Sequence, residues 1–175
     1  MGTLGFVYVV FVLLRIERKK FKVASHLNWT HFMKRMSIQL IGIIVLTTMY
    51  TWFVDPSNLF NVIINKPLLW IIILFVYSLF SVYPQELIYR TFFFERYQSL
   101  FKNKYLFIVF NATLFSLAHI FFGNGLVMIL TFVGGLLFAY TYKRTQSTLL
   151  VTIEHAIYGS WLFTVGMGNM LGFPS

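Results

Sequence analysis

The apolar residues of this chain come in long blocks broken by short charged or turn-forming runs, and that pattern removes most folds at once. A helix that crosses a bilayer needs about 20 largely apolar residues, whereas apolar runs of about 10–14 suit a buried helix of a soluble protein. The stretches 37–54, 68–82, 105–122, 126–142 and 149–167 approach or meet the spanning length. Charged residues make up only 11% of the chain and hydrophobic ones 58%, where a soluble domain carries roughly 25% charge. Strong alternation at period two is absent, which argues against a membrane β-barrel. The expected fold class is all-α, a polytopic transmembrane helical bundle forming a single integral membrane domain over residues 1–175.

The charged punctuation sets the expected topology. Seven of the fourteen Lys and Arg residues fall between Arg15 and Arg35, and the positive-inside rule places that loop on the cytoplasmic side. The block 2–14 before it reads as a short or tilted first helix. The run Asp55-Pro56-Ser57-Asn58 ends the 37–54 span, and Pro67 suits the first turn of the next helix. Pro84 is expected to open a separate segment, 84–101, broken or re-entrant because it carries Glu86 and Arg90 among apolar residues. The expected count is six to seven helices. Lys102, Lys104, Lys143 and Arg144 then fall on the same side as the 15–35 loop. The net charge of +9 therefore serves topology and anionic lipid, and nucleic acid is not an expected partner. The absence of cysteine excludes disulfides, thiolate ligands and a cysteine nucleophile.

Ionisable residues inside a span are costly and point to function. Those of interest are Glu86, Arg90, His119, Glu154 and His155. Glu86 and Arg90 stand four apart and share a helical face, as an ion pair would require. His119, alone, would simply bond a backbone carbonyl or Ser116. Glu154 and His155 are adjacent, so they point about 100° apart on a helix, and Glu154 would make an interhelical hydrogen bond or pair with Lys143 or Arg144. Together, a carboxylate and two histidines from separate helices are a set that activates water. The same three residues, Glu86, His119 and His155, would also ligate zinc with a position left for water, although no His-Glu-x-x-His helix is present. A Ser116–His119 nucleophile lacks an elbow motif and an orienting acid.

Three segments in order, Gln85-Glu86-Leu87-Ile88-Tyr89-Arg90, Phe115-Ser116-Leu117-Ala118-His119 and His155-Ala156-Ile157-Tyr158-Gly159, resemble the signature of the CAAX-protease and bacteriocin-processing (CPBP, or Abi) family of intramembrane proteases. The resemblance covers about residues 68–168. It implies an all-helical bundle, hydrolysis of a peptide bond in or near the membrane, and a bacterial inner membrane as the location. By the resemblance, Glu86 and His119 activate water, His155 holds the oxyanion and Arg90 is structural. Two positions depart from the pattern. Gln85 stands where the family has its first glutamate, and glutamine cannot take up a proton at neutral pH. Gly159 stands where the family has asparagine, for which Asn111 or Asn124 would have to substitute.

The expectation is an intramembrane endopeptidase without a cofactor, acting on a membrane-associated peptide or protein, with the zinc version as the alternative. A reading of another class is a non-catalytic relative that binds or holds a membrane peptide, as an immunity or maturation factor would. A small transporter has less support, since no internal repeat is visible.

Overall fold

The computed structural model describes residues 27–173, and every regular element among them is helical. The expected 2–14 helix and the basic residues up to 26 lie outside the described residues. Five long helices form the bundle: α1 (Trp29–Val54), α2 (Pro67–Leu100), α3 (Lys104–Leu117), α4 (Gly125–Thr145) and α5 (Thr148–Thr164). A short helical turn, Ile120–Phe122, extends α3. α1, α2, α4 and the extended α3 are long and apolar enough to cross a membrane. Their outer faces present large apolar side chains such as Ile41, Leu46, Phe53, Phe75 and Ile129, as lipid-facing surfaces do. The protein is an integral membrane protein.

Local chemistry explains the helix ends. Side-chain oxygens of Asn28, Asn103, Asn124 and Ser147 accept the first free backbone N–H groups of α1, α3, α4 and α5, each worth about 1 kcal/mol. α1 therefore starts at Trp29, eight residues before the expected start at 37. Gln146, left-handed at φ 49°, ends α4 and lets α5 begin almost at once. After α1, Ser57 and Asn58 donate hydrogen bonds to Asp55. These bonds, Asn58's foremost, hold the Asp55 carboxyl below its usual range.

The main departure from expectation is α2. Residues 68–82 and 84–101 were expected as separate elements, yet they form one continuous helix. Proline inside a helix loses a donor and clashes with the carbonyl four residues back. Here a widened π turn, Tyr77–Val82, precedes Pro84 and loosens that part of the backbone, with the Tyr83 N–H bonding the Ser78 carbonyl five residues back. A second π turn spans Leu87–Phe92. Such turns are usually single features at functional sites, and this helix holds two, flanking Glu86.

α5 lies at the centre. It buries Leu150, Val151, Glu154, His155, Tyr158, Gly159 and Phe163, whereas the much longer α1 buries only Phe32, Met36, Thr47 and Thr51. α3 and α4 approach closely where a Cβ on Gly135 would lie 3.0 Å from the Ala112 Cα, the small-residue contact that membrane helices favour. Indole N–H groups tie α5 to its neighbours: Trp161 donates to Thr47 of α1 at 2.9 Å, and Trp70 of α2 donates to Thr164 at 3.0 Å.

Candidate active site

Three helices meet at Glu86. Its Oε1 accepts a hydrogen bond of 2.7 Å from His155 Nδ1 of α5. Its Oε2 lies 3.2 Å from Arg90 Nε, close enough for an ion pair although the N–H is not aimed for a well-formed hydrogen bond. Arg90 Nη1 donates to Asn111 Oδ1 of α3 at 2.6 Å, and Asn111 Nδ2 returns to the Tyr89 carbonyl at 2.8 Å. Glu86, Arg90 and Asn111 are wholly buried. Burying charge in a membrane interior is tolerable only where partners meet it; this chain of contacts supplies the ion pair and one amide partner, while Arg90 Nη2 has no hydrogen-bond partner among the described residues. The Arg90 guanidinium also lies over the Phe115 and Phe138 rings, 4.8 and 5.9 Å from their centroids.

The contact to Glu86 orients His155. A carboxylate only accepts, so the shared proton sits on Nδ1, and a ring carrying only that proton has its lone pair on Nε2. Phe138 stacks on the imidazole at 4.3 Å and 21°, and Tyr77 and Phe115 meet it edge-on at 6.1 and 5.7 Å. The ring is thus fixed by apolar walls and one acid.

His119 follows α3 and is half-buried. Its Nδ1 donates to the Phe115 carbonyl at 2.7 Å, one of the bonds expected for a lone histidine, so its Nε2 is also left with a lone pair. Its ring lies 4.8 Å from Phe115. Phe115 therefore touches both histidines. Glu86 has its hydrogen bond to His155 and none to His119 among the described residues. Likewise, among the described residues no three His, Asp or Glu side chains gather as metal ligands. As placed, Glu86, His119 and His155 do not form one ligand set, because Glu86 is shared between the Arg90 guanidinium and His155 Nδ1.

The remaining polar candidates have other duties. Gln85 donates from its Nε2 to Ser81 at 2.9 Å, and its Oε1 is buried with no partner among the described residues. Ser116 donates to the Met128 carbonyl at 2.7 Å, which leaves no serine–histidine pair. Asn111 holds Arg90 and Asn124 caps α4, so neither substitutes at position 159. Glu154 faces away from His155, as adjacent positions on a helix should. Its partners are Tyr158, donating at 3.2 Å, Thr141 of α4, and Arg35 of α1 at 3.8 Å, which makes it the interhelical contact expected as one alternative and not a pair with Lys143 or Arg144.

Residues 67–161 match the family model for type II CAAX prenyl endopeptidase, Rce1-like. The chain belongs to this family. The match contains Glu86, Arg90, Asn111, His119 and His155 and ends within α5. No similar curated protein and no similar solved structure was found. The Rce1-like family is a protease family, so the buried acid, arginine and histidines lie within the region of the chain that carries protease ancestry. Asn111 was not singled out as Arg90's partner by the sequence, although it is a rare amide in the 105–122 span. Phe115 and Phe138 gave no separate signal in a chain with 21 phenylalanines.

Proposed function

We propose that the protein is an intramembrane endopeptidase that hydrolyses a peptide bond in or near the membrane with water activated by the Glu86–His155 pair. The observation that carries this reading is the 2.7 Å bond from His155 Nδ1 to Glu86 Oε1, with Arg90 holding the other carboxylate oxygen. His155 Nε2 takes a proton from water, and the water oxygen attacks the carbonyl carbon. Glu86 stabilises the imidazolium that forms. That imidazolium returns its proton to the leaving nitrogen as the C–N bond breaks. His119 Nε2, whose ring also packs against Phe115, accepts a hydrogen bond from the second O–H of the same water, and no second proton is transferred. Relative to the resemblance, His155 moves from the oxyanion to the base, and Glu86 from base to orienting acid. The reading needs no carboxylate at position 85.

The family name supplies the substrate class we propose, a membrane-bound prenylated peptide with a C-terminal CAAX sequence. An apolar groove of about 450 Å³ between α1, α2 and α5, lined by Leu40, Ile44, Leu74, Ala156 and Ile157 but not by His155, would seat an apolar chain on the face of α5. The basic helix ends, with Lys34, Arg35, Lys102, Lys104, Lys143 and Arg144, would face the cytoplasm of a bacterial inner membrane.

A second reading rests on Gln85 and on the sharing of Glu86 between His155 and Arg90: a non-catalytic relative that binds a membrane peptide. Cleavage of a farnesylated CAAX peptide by the protein in liposomes separates the two. Turnover that disappears in His155→Ala supports the protease. Tight peptide binding without turnover supports the holder.

A further inference from the structure

Tyr77 opens the first widened turn of α2, nine residues before Glu86. Its ring meets His155 edge-on at 6.1 Å and packs against Phe163 at 4.8 Å. Its hydroxyl reaches across to the backbone of α5 at Gly159. A Cβ placed on Gly159 would overlap that hydroxyl and the ring carbon bearing it. Gly159 lies four residues after His155, on the same helical face and one turn along. The tyrosine hydroxyl therefore fills the space that any side chain at 159 would need, in the row that begins with His155.

A buried phenol ordinarily has a hydrogen-bond partner. Tyr77 is only 9% exposed; its hydroxyl has no hydrogen bond among the described residues, yet it is not one of the fully enclosed unpaired polar atoms, so it opens onto accessible space. The group is a neutral donor near neutral pH, since an ordinary phenol ionises near 10. It is held in place by ring packing and leaves its O–H unused beside the imidazole proposed to activate water. A packing role alone would be served as well by phenylalanine, which is abundant in this chain. The tyrosine is paired with a glycine that makes room for its hydroxyl and for nothing else.

We propose that Tyr77 is the oxyanion donor of this site. Its O–H donates a hydrogen bond to the scissile carbonyl oxygen as that oxygen gains negative charge in the tetrahedral intermediate. No proton is transferred, and the bond weakens again when the carbonyl re-forms as the C–N bond breaks. This inference rests on the proteolytic reading above. Losing one such donor typically slows catalysis about 10²–10³-fold.

The test uses the full chain in liposomes with two probes: the farnesylated CAAX peptide, and the same peptide with a phosphinate in place of the scissile amide as a mimic of the charged intermediate. Tyr77→Phe keeps the ring and removes the donor. The expected result is a kcat reduced about 100-fold with KM little changed, and phosphinate affinity reduced similarly while affinity for the product peptide is unaltered. The exchange variant Tyr77→Leu with Gly159→Asn puts an amide donor into the vacated space. It should regain about tenfold over Tyr77→Leu alone, which a purely structural tyrosine does not predict. Wild-type kcat and phosphinate affinity in Tyr77→Phe would overturn the inference and leave the protease standing, as would a change in KM alone. A protein that binds the phosphinate without turnover still tests Tyr77 by that affinity. A protein that neither cleaves nor binds the phosphinate overturns both readings.

Discussion

Glu86 and Glu154 are both carboxylates buried to zero exposure, and both touch α5, but their surroundings differ in kind. Glu86 has an arginine at 3.2 Å, a histidine at 2.7 Å and an asparagine steadying the arginine from behind. Glu154 has a tyrosine at 3.2 Å, a more distant arginine at 3.8 Å, and an Oε2 with no partner among the described residues. The Arg35 of that second cluster spends its best contact on Thr141, at 2.6 Å, and the Tyr158 hydroxyl is also near Gln39 and the Met36 carbonyl. One cluster concentrates charge on a single imidazole with a free nitrogen. The other spreads weaker polar contacts over α1, α4 and α5 and contains no such nitrogen. The first has the form of a reactive site and the second that of a clamp between helices. Burial of an acid alone does not distinguish them. Its neighbours do.

The largest effects are expected at Glu86 and its histidine. His155→Ala should reduce cleavage of the farnesylated peptide by at least about 10³-fold, since it removes the proposed base. Glu86→Gln should match that loss and also destabilise the fold by about 3 kcal/mol, because Arg90 would stay buried without its counter-charge. Thermal unfolding in detergent reads the second effect, and an unchanged midpoint would contradict the buried pairing. Next in size is His119→Ala. About 10²-fold slower turnover with unaltered unfolding is expected if its Nε2 only receives a hydrogen from the attacking water. Asn111→Ala should cost about tenfold in kcat, because Arg90 loses its brace and the Glu86–His155 geometry loosens. An Asn111→Asp variant, which restores an acceptor, should recover part of it. At the small end, Glu154→Gln should leave turnover within about threefold and stability within about 1 kcal/mol. A large loss of turnover from that change would erase the distinction between the two acids.

The block pattern of the sequence was sufficient for an all-α membrane bundle, because the hydrocarbon core admits little else at this composition. Glu86, Arg90, His119 and His155 could also be picked out as candidates, since an ionisable group in an apolar span has few reasons to be there. The partnership could not. Glu86 was expected to share one water with His119, 33 positions on, and with His155, 69 positions on; the packing of α2 on α5 gives it a hydrogen bond with His155 and none with His119. Periodicity reports which face of a helix a residue occupies but not which helix that face meets. Pro84 misled for a related reason. Its local chemistry breaks a regular helix, and the escape through a widened turn depends on backbone carbonyls that no residue type announces. Asn111 and Tyr77 were overlooked because an amide and a phenol in a span have many harmless uses. Their significance lies in what they touch.

The two widened turns of α2 also bear on how relatives should be compared. Each accommodates about one residue more than a regular turn, so the helix carries local surplus length on either side of Glu86. Deleting a residue from the Tyr77–Val82 turn would straighten it and rotate Tyr77 by about 100° relative to Glu86, turning the hydroxyl away from Gly159 while every side chain kept its identity. In this chain, then, the number of residues between Tyr77 and Glu86 is part of how the site is built. A relative with the same residues at a different spacing would have a differently built site.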